Sequence, residues 1–183
     1  MAFQDTKTNP EQKILYNIYA LFGVAIALSV VPMLSAAIIC LLFFTVLLIA
    51  AYFIRKREDE HSLVHNHMVF IIRSLWIGAL MSLITTVCAS FYMLQEIDYV
   101  AFNPCAETLA GKSLEEVEAM AYMEFYGYAK PCIDAFIQSN YNTLMISVAI
   151  AAGPPLLYIA FRFVKGVSRA VKGYRLADVK SWF

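Results

Sequence analysis

The sequence is poor in charge. Only 15% of its 183 residues are Asp, Glu, Lys or Arg, and 61% are hydrophobic, whereas a soluble domain carries about 25% charged residues. This shortage excludes an ordinary soluble domain. The balance of 14 basic and 14 acidic side chains gives no net charge that would attract nucleic acid. The sequence therefore predicts an integral membrane protein that contacts membrane lipids and no nucleic acid.

The patterns that accompany catalysis are also missing. The chain has no glycine-rich phosphate-binding loop, no nucleophile beside a base, no Cys/His metal quartet and no pair of carboxylates within an apolar segment. Its 4 cysteines include no Cys-x-x-Cys pair, the spacing that supports low-pKa thiol exchange. We therefore predict a protein that is not an enzyme and that uses no cofactor.

What the sequence does contain is a set of long apolar segments. They cover about residues 14–31, 33–54, 68–94 and 141–164, each near the roughly 20 residues that cross a bilayer core. Pro32 separates the first two, which we expect to form a tight helical hairpin. The polar start of the chain, with Asp5 and Glu11, argues against a cleaved signal peptide. The predicted fold is a single all-α integral membrane domain over residues 1–183, with four transmembrane helices.

Basic residues indicate the orientation of these helices. They precede the first segment, follow the second and follow the fourth, three regions that share one side in a four-helix topology. The last group is a basic tail, made of Arg162, Lys165, Arg169, Lys172, Arg175 and Lys180. The long loop at 95–140 is instead mainly acidic. We therefore expect a multi-pass protein of the bacterial inner membrane with cytoplasmic N- and C-termini and a periplasmic loop. The basic tail is expected to lie along the anionic cytoplasmic leaflet, or to act only as a topology signal.

The external loop at 95–140 carries signs of order. Ser113 and Glu116 have the spacing of a helix capping box, so the loop is expected to be partly helical. Cys105 and Cys132 both fall in this loop, where an oxidising compartment allows a disulfide to persist. A group of aromatic residues is expected either to rest on the membrane interface or to pack within the loop; these residues are Tyr122, Phe125, Tyr126 and Tyr128.

A redox function is a distant third hypothesis for the cysteines. Quinone-linked thiol oxidases are four-helix membrane proteins of similar size with a cysteine pair in a comparable loop. They also need a Cys-x-x-Cys pair, which this chain lacks. Cys40 has no basic neighbour that would stabilise a thiolate, so a structural bridge is the favoured role for the loop cysteines.

Three histidines lie at the start of the third apolar segment. His61 and His65 are four residues apart, His67 follows, and residues 58–60 are acidic. This spacing can bind a divalent metal. Because no thiolate joins the cluster, we expect interface residues and no metal site, with these three histidines as the only candidates.

Arg73 lies inside the third apolar segment. Intramembrane charge is a functional hypothesis by default, although this side chain is shallow enough to reach the headgroups. It is expected either to do so or to turn inward to a carbonyl or acidic partner. The absence of a carboxylate for a proton relay and of an internal repeat argues against an ion-coupled transporter.

Two stretches resemble a known family. One runs along the third segment and contains His67, Phe70, Ile72, Arg73, Ser74, Trp76, Ile77 and Gly78; the other is the tail with Arg162, Lys165, Gly166, Gly173, Lys180, Ser181, Trp182 and Phe183. They are similar to a domain-of-unknown-function family of small bacterial membrane proteins that includes the magnetosome proteins MamF and MmsF. A more distant likeness is to the channel-like subunit of the chloroplast inner-envelope translocon.

The resemblance implies a compact helical membrane protein that acts within larger assemblies and has no established catalytic activity. It marks His67, Phe70, Arg73, Trp76 and Gly78 as a family motif at an interface. The loop at 95–140 departs from the family pattern and has the appearance of an insertion. The leading hypothesis is an accessory or scaffold subunit that binds other integral membrane proteins of a complex. The alternative is a small oligomeric channel or transporter-like protein.

Overall fold

The computed structural model describes residues 10–31, 33–103, 107, 111, 121–177 and 179. Within them the helices are α1 (Pro10–Ser29), α2 (Leu34–Arg57), α3 (Leu63–Glu96), a short 3₁₀ helix (Val100–Phe102), α4 (Tyr122–Ser139) and α5 (Tyr141–Val171). The helices α1, α2, α3 and α5 are long and apolar enough to cross a membrane. The predicted all-α membrane fold with four transmembrane helices and a partly helical loop is confirmed.

All four membrane helices extend past the predicted apolar segments at one end at least, and α3 and α5 do so by the most residues. Helix α3 begins at Leu63, before the expected Met68, because the Ser62 hydroxyl accepts the backbone N–H of His65 at 3.0 Å and so caps the first turn. Helix α5 continues past Val164 to Val171. Apolar composition alone therefore underestimates these helices, since backbone hydrogen bonds continue into polar turns.

The chain divides into two compact units. The terminal unit comprises Met1–Leu83 with Pro154–Phe183, and the loop unit comprises Ile84–Gly153. In the terminal unit a core of buried side chains joins all four membrane helices. Its fully buried or almost fully buried members include Leu15, Phe22, Leu47, Ala51, Val64, Met68, Ile71 and Ala170.

Helices α1 and α2 pack against each other along the first part of the chain. The Cys40 thiol of α2 donates to the backbone oxygen of Ala25 in α1, with an Sγ to O distance of 3.3 Å. Met33 precedes α2 in extended backbone. Pro32, on which the hairpin prediction rested, lies outside the described residues.

Glycines in the terminal unit allow close helix contacts. A Cβ at Gly78 of α3 would lie 2.8 Å from Cδ1 of Ile159, and one at Gly166 of α5 would lie 2.7 Å from Cε1 of Tyr19. Real Cβ atoms essentially never approach other heavy atoms so closely. The absence of a side chain at these two positions therefore lets α5 pack directly on α3 and α1.

In the loop unit, Asn140 forms the corner between α4 and α5. Only 2% of Asn140 is exposed, and its side chain bonds both the N–H and the C=O of Asp98. The Phe102 and Phe136 rings lie beside this corner with centroids 4.6 Å apart. The capping box at Ser113 and Glu116 lies outside the described residues, so the helix predicted there stays a prediction.

Helix α5 contains consecutive prolines, Pro154 and Pro155, and remains helical across them. Pro155 lacks the N–H that would bond the carbonyl of Ala151 four residues earlier. The Thr85 hydroxyl donates to that carbonyl at 2.7 Å. A side chain from α3 thus supplies the donor that proline removes, as expected for proline in a membrane helix.

Candidate functional site

One face of α3 collects the polar groups of the terminal unit. His67, Phe70, Ser74 and Gly78 recur at three- and four-residue intervals, so they lie on the same side of the helix. His67 contacts α1, Phe70 and Ser74 contact α5, and Gly78 also faces α5. These four residues thus form one continuous surface of α3 that faces the other helices of the terminal unit, which we name the inner surface.

Arg162 is at the centre of this surface. It has no solvent exposure; its guanidinium carbon lies 3.7 Å from the centroid of the Phe70 ring. Its Nε donates to the Ser74 hydroxyl at 2.9 Å, and that hydroxyl donates to the backbone oxygen of Phe70 at 2.7 Å. A cation over an aromatic face is favourable when both are removed from water. We name Phe70, Ser74 and Arg162 the arginine site.

The arginine site corrects one sequence assignment. Arg162 was placed in the basic tail, among residues expected to face the headgroups. It is instead buried between α3 and α5, because its long side chain reaches the Phe70 ring and the Ser74 hydroxyl. The spacing of Arg162 from Gly166 and Ala170 is the signal that could have shown this, since small residues four apart mark the face of α5 that packs inward.

Arg73 lies near the arginine site but is half-buried. Its Nε atom is buried and has no hydrogen-bond partner among the described residues. Tyr158 of α5 is within electrostatic range of both Arg73 and Arg162. The Nε of Arg73 therefore points inward. Among the described residues, no Asp or Glu side chain forms an ion pair with Arg73.

His67 connects three parts of the chain. Its Nδ1 lies 2.8 Å from the Tyr19 hydroxyl of α1, and its Nε2 lies 3.1 Å from the backbone oxygen of Tyr174. A carbonyl oxygen only accepts, so Nε2 carries the proton and donates. When the ring is neutral, the Tyr19 hydroxyl donates to Nδ1. Both nitrogens are thereby occupied by structural hydrogen bonds.

The other two histidines lie in different surroundings. His65 is half-buried, and its Nδ1 lies 3.2 Å from the backbone oxygen of Arg55. His61 is exposed in the turn before α3, where its backbone N–H donates to Asp59 at 3.1 Å. Within the part of the chain that the structure describes, no three His, Cys, Asp or Glu side chains form a group that could hold a metal. The structure therefore does not bring the three histidines together.

The segment after α5 folds back onto α3. Gly173 has a φ of +67°, and the N–H groups of Gly173 and Tyr174 donate to the carbonyls of Ala170 and Arg169. This is the Schellman arrangement, in which glycine takes the left-handed position that ends the helix. The turn sends the chain toward Asn66.

Asn66 then holds the returning segment. Its Nδ2 donates to the backbone oxygen of Leu176 at 3.2 Å, and the Leu176 N–H donates to Asn66 Oδ1 at 2.8 Å. Leu176 is 5% exposed. We name these contacts, together with those of Tyr19, His67 and Tyr174, the tail clamp. Sequence analysis did not single out Asn66, because a lone asparagine at the start of a helix is most often exposed at the surface.

Trp76 does not belong to the inner surface. It is 58% exposed, and its Nε1 donates to the Tyr52 hydroxyl of α2 at 3.0 Å. The residues predicted as one family motif therefore divide: His67, Phe70 and Gly78 pack inward, Arg73 is half-buried and Trp76 faces outward.

The remaining basic tail is largely at the surface. Arg169, Lys172 and Arg175 are exposed and Lys165 is half-buried. Lys180 lies outside the described residues. These positions agree with a basic rim at the end of α5 but do not test contact with a leaflet.

Cys132 lies half-buried on α4. Cys40 and Cys88 are free thiols. Cys105 lies outside the described residues, and the Cys105–Cys132 pairing stays a prediction. Of the loop aromatics, Phe125, Tyr126 and Tyr128 are exposed, whereas the side chain of Tyr122 is not among those described.

These features define the chain as a multi-pass helical membrane protein with a buried arginine and a clamped C-terminal segment. No family model, curated protein or solved structure matches it. The family resemblance described above therefore stays a prediction.

Proposed function

We propose that the chain is a non-enzymatic accessory or scaffold subunit of a larger membrane complex. The observation that carries this proposal is that buried polar side chains of the terminal unit form hydrogen bonds within the chain. Arg162 and His67 are the side chains for which chemistry or transport would be the first hypothesis. Arg162 is bound through its Nε, and His67 through both ring nitrogens, to other groups of the same chain. Their contacts join helices and leave the ring nitrogens of His67 no place for a substrate or metal.

An open apolar groove on the terminal unit also supports a subunit that packs against other membrane components. Beside α2, α3 and α5 of the terminal unit lies a cleft of about 240 Å³. Its lining includes Leu41, Phe44, Leu48, Leu75 and Ile159, with few polar groups. A water-filled path needs polar groups along its length, so this cleft is suited to an acyl chain or a neighbouring helix.

Helix α4 offers a surface for a partner. Its packed face carries Cys132 and Phe136 and leads, at the same four-residue spacing, to the corner residue Asn140. Directly beside this face runs an exposed, mainly apolar stripe, composed of Met123 (75% exposed), Tyr126 (45%), Ile133 (39%) and Ile137 (46%) and interrupted by Lys130. Exposed apolar stripes of this kind mark interaction surfaces. The proposed occupant is the extramembrane part of another membrane subunit.

A quantitative pull-down tests the proposal. The tagged chain is isolated from its native membrane in mild detergent or nanodiscs, and the co-purified proteins are quantified. Ile137→Glu places a charge in the stripe, and Gln138→Glu places the same charge on the adjacent exposed position outside it. We expect a stoichiometric partner with the unmodified chain and with Gln138→Glu, and loss of most of that partner with Ile137→Glu.

Two results would contradict the proposal. Recovery of a stable homo-oligomer alone favours the channel or transporter-like alternative, and ion flux in proteoliposomes would then be measured. Full recovery of the partner with Ile137→Glu would place the contact away from the stripe.

We also propose the bacterial inner membrane as the location, with both termini cytoplasmic and the loop at 95–140 periplasmic. The support is the basic character of the residues that follow α2 and α5. A cysteine introduced at Lys172 is expected to be protected from a membrane-impermeant maleimide in intact cells, and one at Gly127 to be labelled. The opposite pattern would reverse the orientation.

A further inference from the structure

An open cleft lies on the terminal unit, where α2 ends and α3 begins. It encloses about 680 Å³. One wall is a single face of α2, formed by Ile49, Tyr52, Phe53 and Lys56 at helical spacing. Nothing in the tail clamp or the arginine site uses this cleft.

The α2 wall changes in polarity along its length. Ile49 is apolar, Tyr52 and Phe53 are aromatic, and Lys56 is charged, over a rise of about 10 Å. The apolar span of α2 ends at Ile54 and is followed by basic residues. Aromatic residues favour the boundary between hydrocarbon and headgroups. This order of apolar, aromatic and charged groups matches the order of acyl chain, glycerol and headgroup in a phospholipid within the leaflet.

The polar end of the cleft carries charges of both signs. Arg55 and Lys56 supply cations, and Glu58 and Glu60 supply anions. No ion pair joins these four side chains among the described residues. The half-buried His65 completes the lining, and its bond to the backbone oxygen of Arg55 ties α3 to the end of α2. A purely anionic headgroup would be attracted by the first pair of charges and repelled by the second.

We propose that this cleft binds a zwitterionic glycerophospholipid with a primary ammonium group, of the phosphatidylethanolamine type. Arg55 and Lys56 contact the phosphate, Glu58 and Glu60 contact the ammonium, and one acyl chain lies along Tyr52 and Ile49. Charge-assisted hydrogen bonds from phosphate to basic groups and from ammonium to carboxylates are the strong class of polar contact. The inference is independent of the proposed accessory role, since a channel or a scaffold could carry the same lipid.

Native mass spectrometry of the purified full chain tests this site. The chain is exchanged into a defined equimolar mixture of palmitoyl-oleoyl phosphatidylethanolamine, phosphatidylcholine and phosphatidylglycerol, and the retained lipids are counted. We expect phosphatidylethanolamine to be retained over each of the others by about five-fold, the factor that corresponds to one charged contact at a membrane surface.

Three variants separate the contributions. The double variant Glu58→Gln, Glu60→Gln is expected to lose the preference for phosphatidylethanolamine over phosphatidylglycerol. The double variant Glu58→Asp, Glu60→Asp is expected to keep that preference, because it keeps both carboxylates. Lys56→Gln is expected to lower the retention of both phosphatidylethanolamine and phosphatidylglycerol. Lys172→Gln, an exposed basic residue outside the cleft, is the matched control and is expected to change neither value.

Three outcomes would overturn the proposal. Equal retention of the three lipids would show that the cleft does not select a headgroup. Preferential retention of phosphatidylglycerol would assign the basic residues to general attraction of an anionic leaflet. An equal effect of Lys172→Gln and Lys56→Gln would place lipid retention outside the cleft.

Discussion

The same amide pattern holds a stretch of backbone in each of the two units. In the terminal unit Asn66 exchanges hydrogen bonds with the N–H and C=O of Leu176, at 2.8 and 3.2 Å. In the loop unit Asn140 does so with Asp98, at 2.7 and 2.8 Å. Each asparagine side chain thus forms with one residue the pair of hydrogen bonds that a neighbouring β-strand would form. A backbone donor and a backbone acceptor are satisfied together.

The surroundings of the two asparagines differ. Leu176 is almost fully buried, and the neighbouring His67 adds a bond to Tyr174. Asn140 is also almost fully buried, as Leu176 is, but the aromatic residues near Asn140 include the exposed Tyr99 and Phe102. The tail clamp is therefore part of a packed core, whereas the Asn140 corner lies under a mainly exposed cover. The terminal unit should accordingly tolerate less change than the loop unit.

The largest difference between the units is expected from glycine substitutions in α5. Gly166→Ala places a Cβ 2.7 to 2.8 Å from the Tyr19 ring, so Tyr19 must move and its bond to His67 is disturbed. Overpacking of this kind costs about 1 to 3 kcal/mol. The free energy of unfolding in mixed detergent micelles is expected to fall by that amount.

Gly153→Ala is the matched control on the same helix. A Cβ at Gly153 meets nothing within 4 Å, and alanine is favoured over glycine in a helix by about 1 kcal/mol. We expect unchanged or slightly raised stability. A loss at Gly153 as large as that at Gly166 would remove the proposed difference between the units.

The next effect is expected from the tail clamp. Asn66→Ala leaves the N–H and C=O of Leu176 without their partner, and an unsatisfied buried backbone group costs about 1 to 3 kcal/mol. Because the affected segment is terminal, we expect local release. Trypsin cleavage after the exposed Arg175 should become several-fold faster, as followed by mass spectrometry of the fragments.

His61→Ala is the control for the tail clamp, since His61 is exposed in the turn before α3. It should leave the cleavage rate unchanged. If Asn66→Ala also leaves it unchanged, the segment is held by Leu176 burial and the His67 bond, and the amide pair contributes little.

How far the sequence predicts this arrangement depends on the range of the interactions. The apolar segments and basic flanks predicted the four membrane helices, because bilayer thickness fixes the length of an apolar helix. The arginine site was missed, since its contact joins Phe70 and Arg162 across a long stretch of chain. Polarity alone assigned Arg162 to the surface, and only the partners on α3 show why it is buried. Asn66 was missed for the same reason, because its partner Leu176 lies beyond α5.

A smaller effect is expected from Thr85, whose hydroxyl bonds the Ala151 carbonyl left without a donor by Pro155. Thr85→Val keeps the shape of the side chain and removes that bond. Side-chain hydrogen bonds between membrane helices contribute about 0.6 kcal/mol on average, with larger values near 1.7 kcal/mol. We expect a loss within this range in the free energy of unfolding.

Thr45→Val is the control for this bond. The Thr45 hydroxyl donates to Leu41, four residues earlier on its own helix, and Leu41 already accepts an intrahelical N–H. Its replacement should be close to neutral. Equal losses for Thr45→Val and Thr85→Val would mean that the bond from Thr85 to the Ala151 carbonyl contributes no more to stability than a hydroxyl bond within one helix.

The smallest effect is expected on α4. Lys130 and Asp134 form an exposed ion pair at 2.6 Å, and the hydrogen bond to Asp134 raises the pKa of Lys130. A raised lysine pKa favours the folded chain at pH values below the ordinary pKa of the residue, and this contribution is lost as pH rises through the raised value. For an exposed pair the contribution is small, because water and salt screen the charges. Lysine N-terminal to the acidic residue is also the less favourable order on a helix.

Lys130→Ala should therefore leave the melting temperature unchanged at neutral pH, with and without added salt, because surface pairs are screened and contribute little. The measurement is thermal unfolding of both proteins in the same detergent. A clear, salt-sensitive fall would mean that Lys130 takes part in a contact stronger than an exposed pair. In that case the loop unit would depend on its surface charges more than its Asn140 corner indicates.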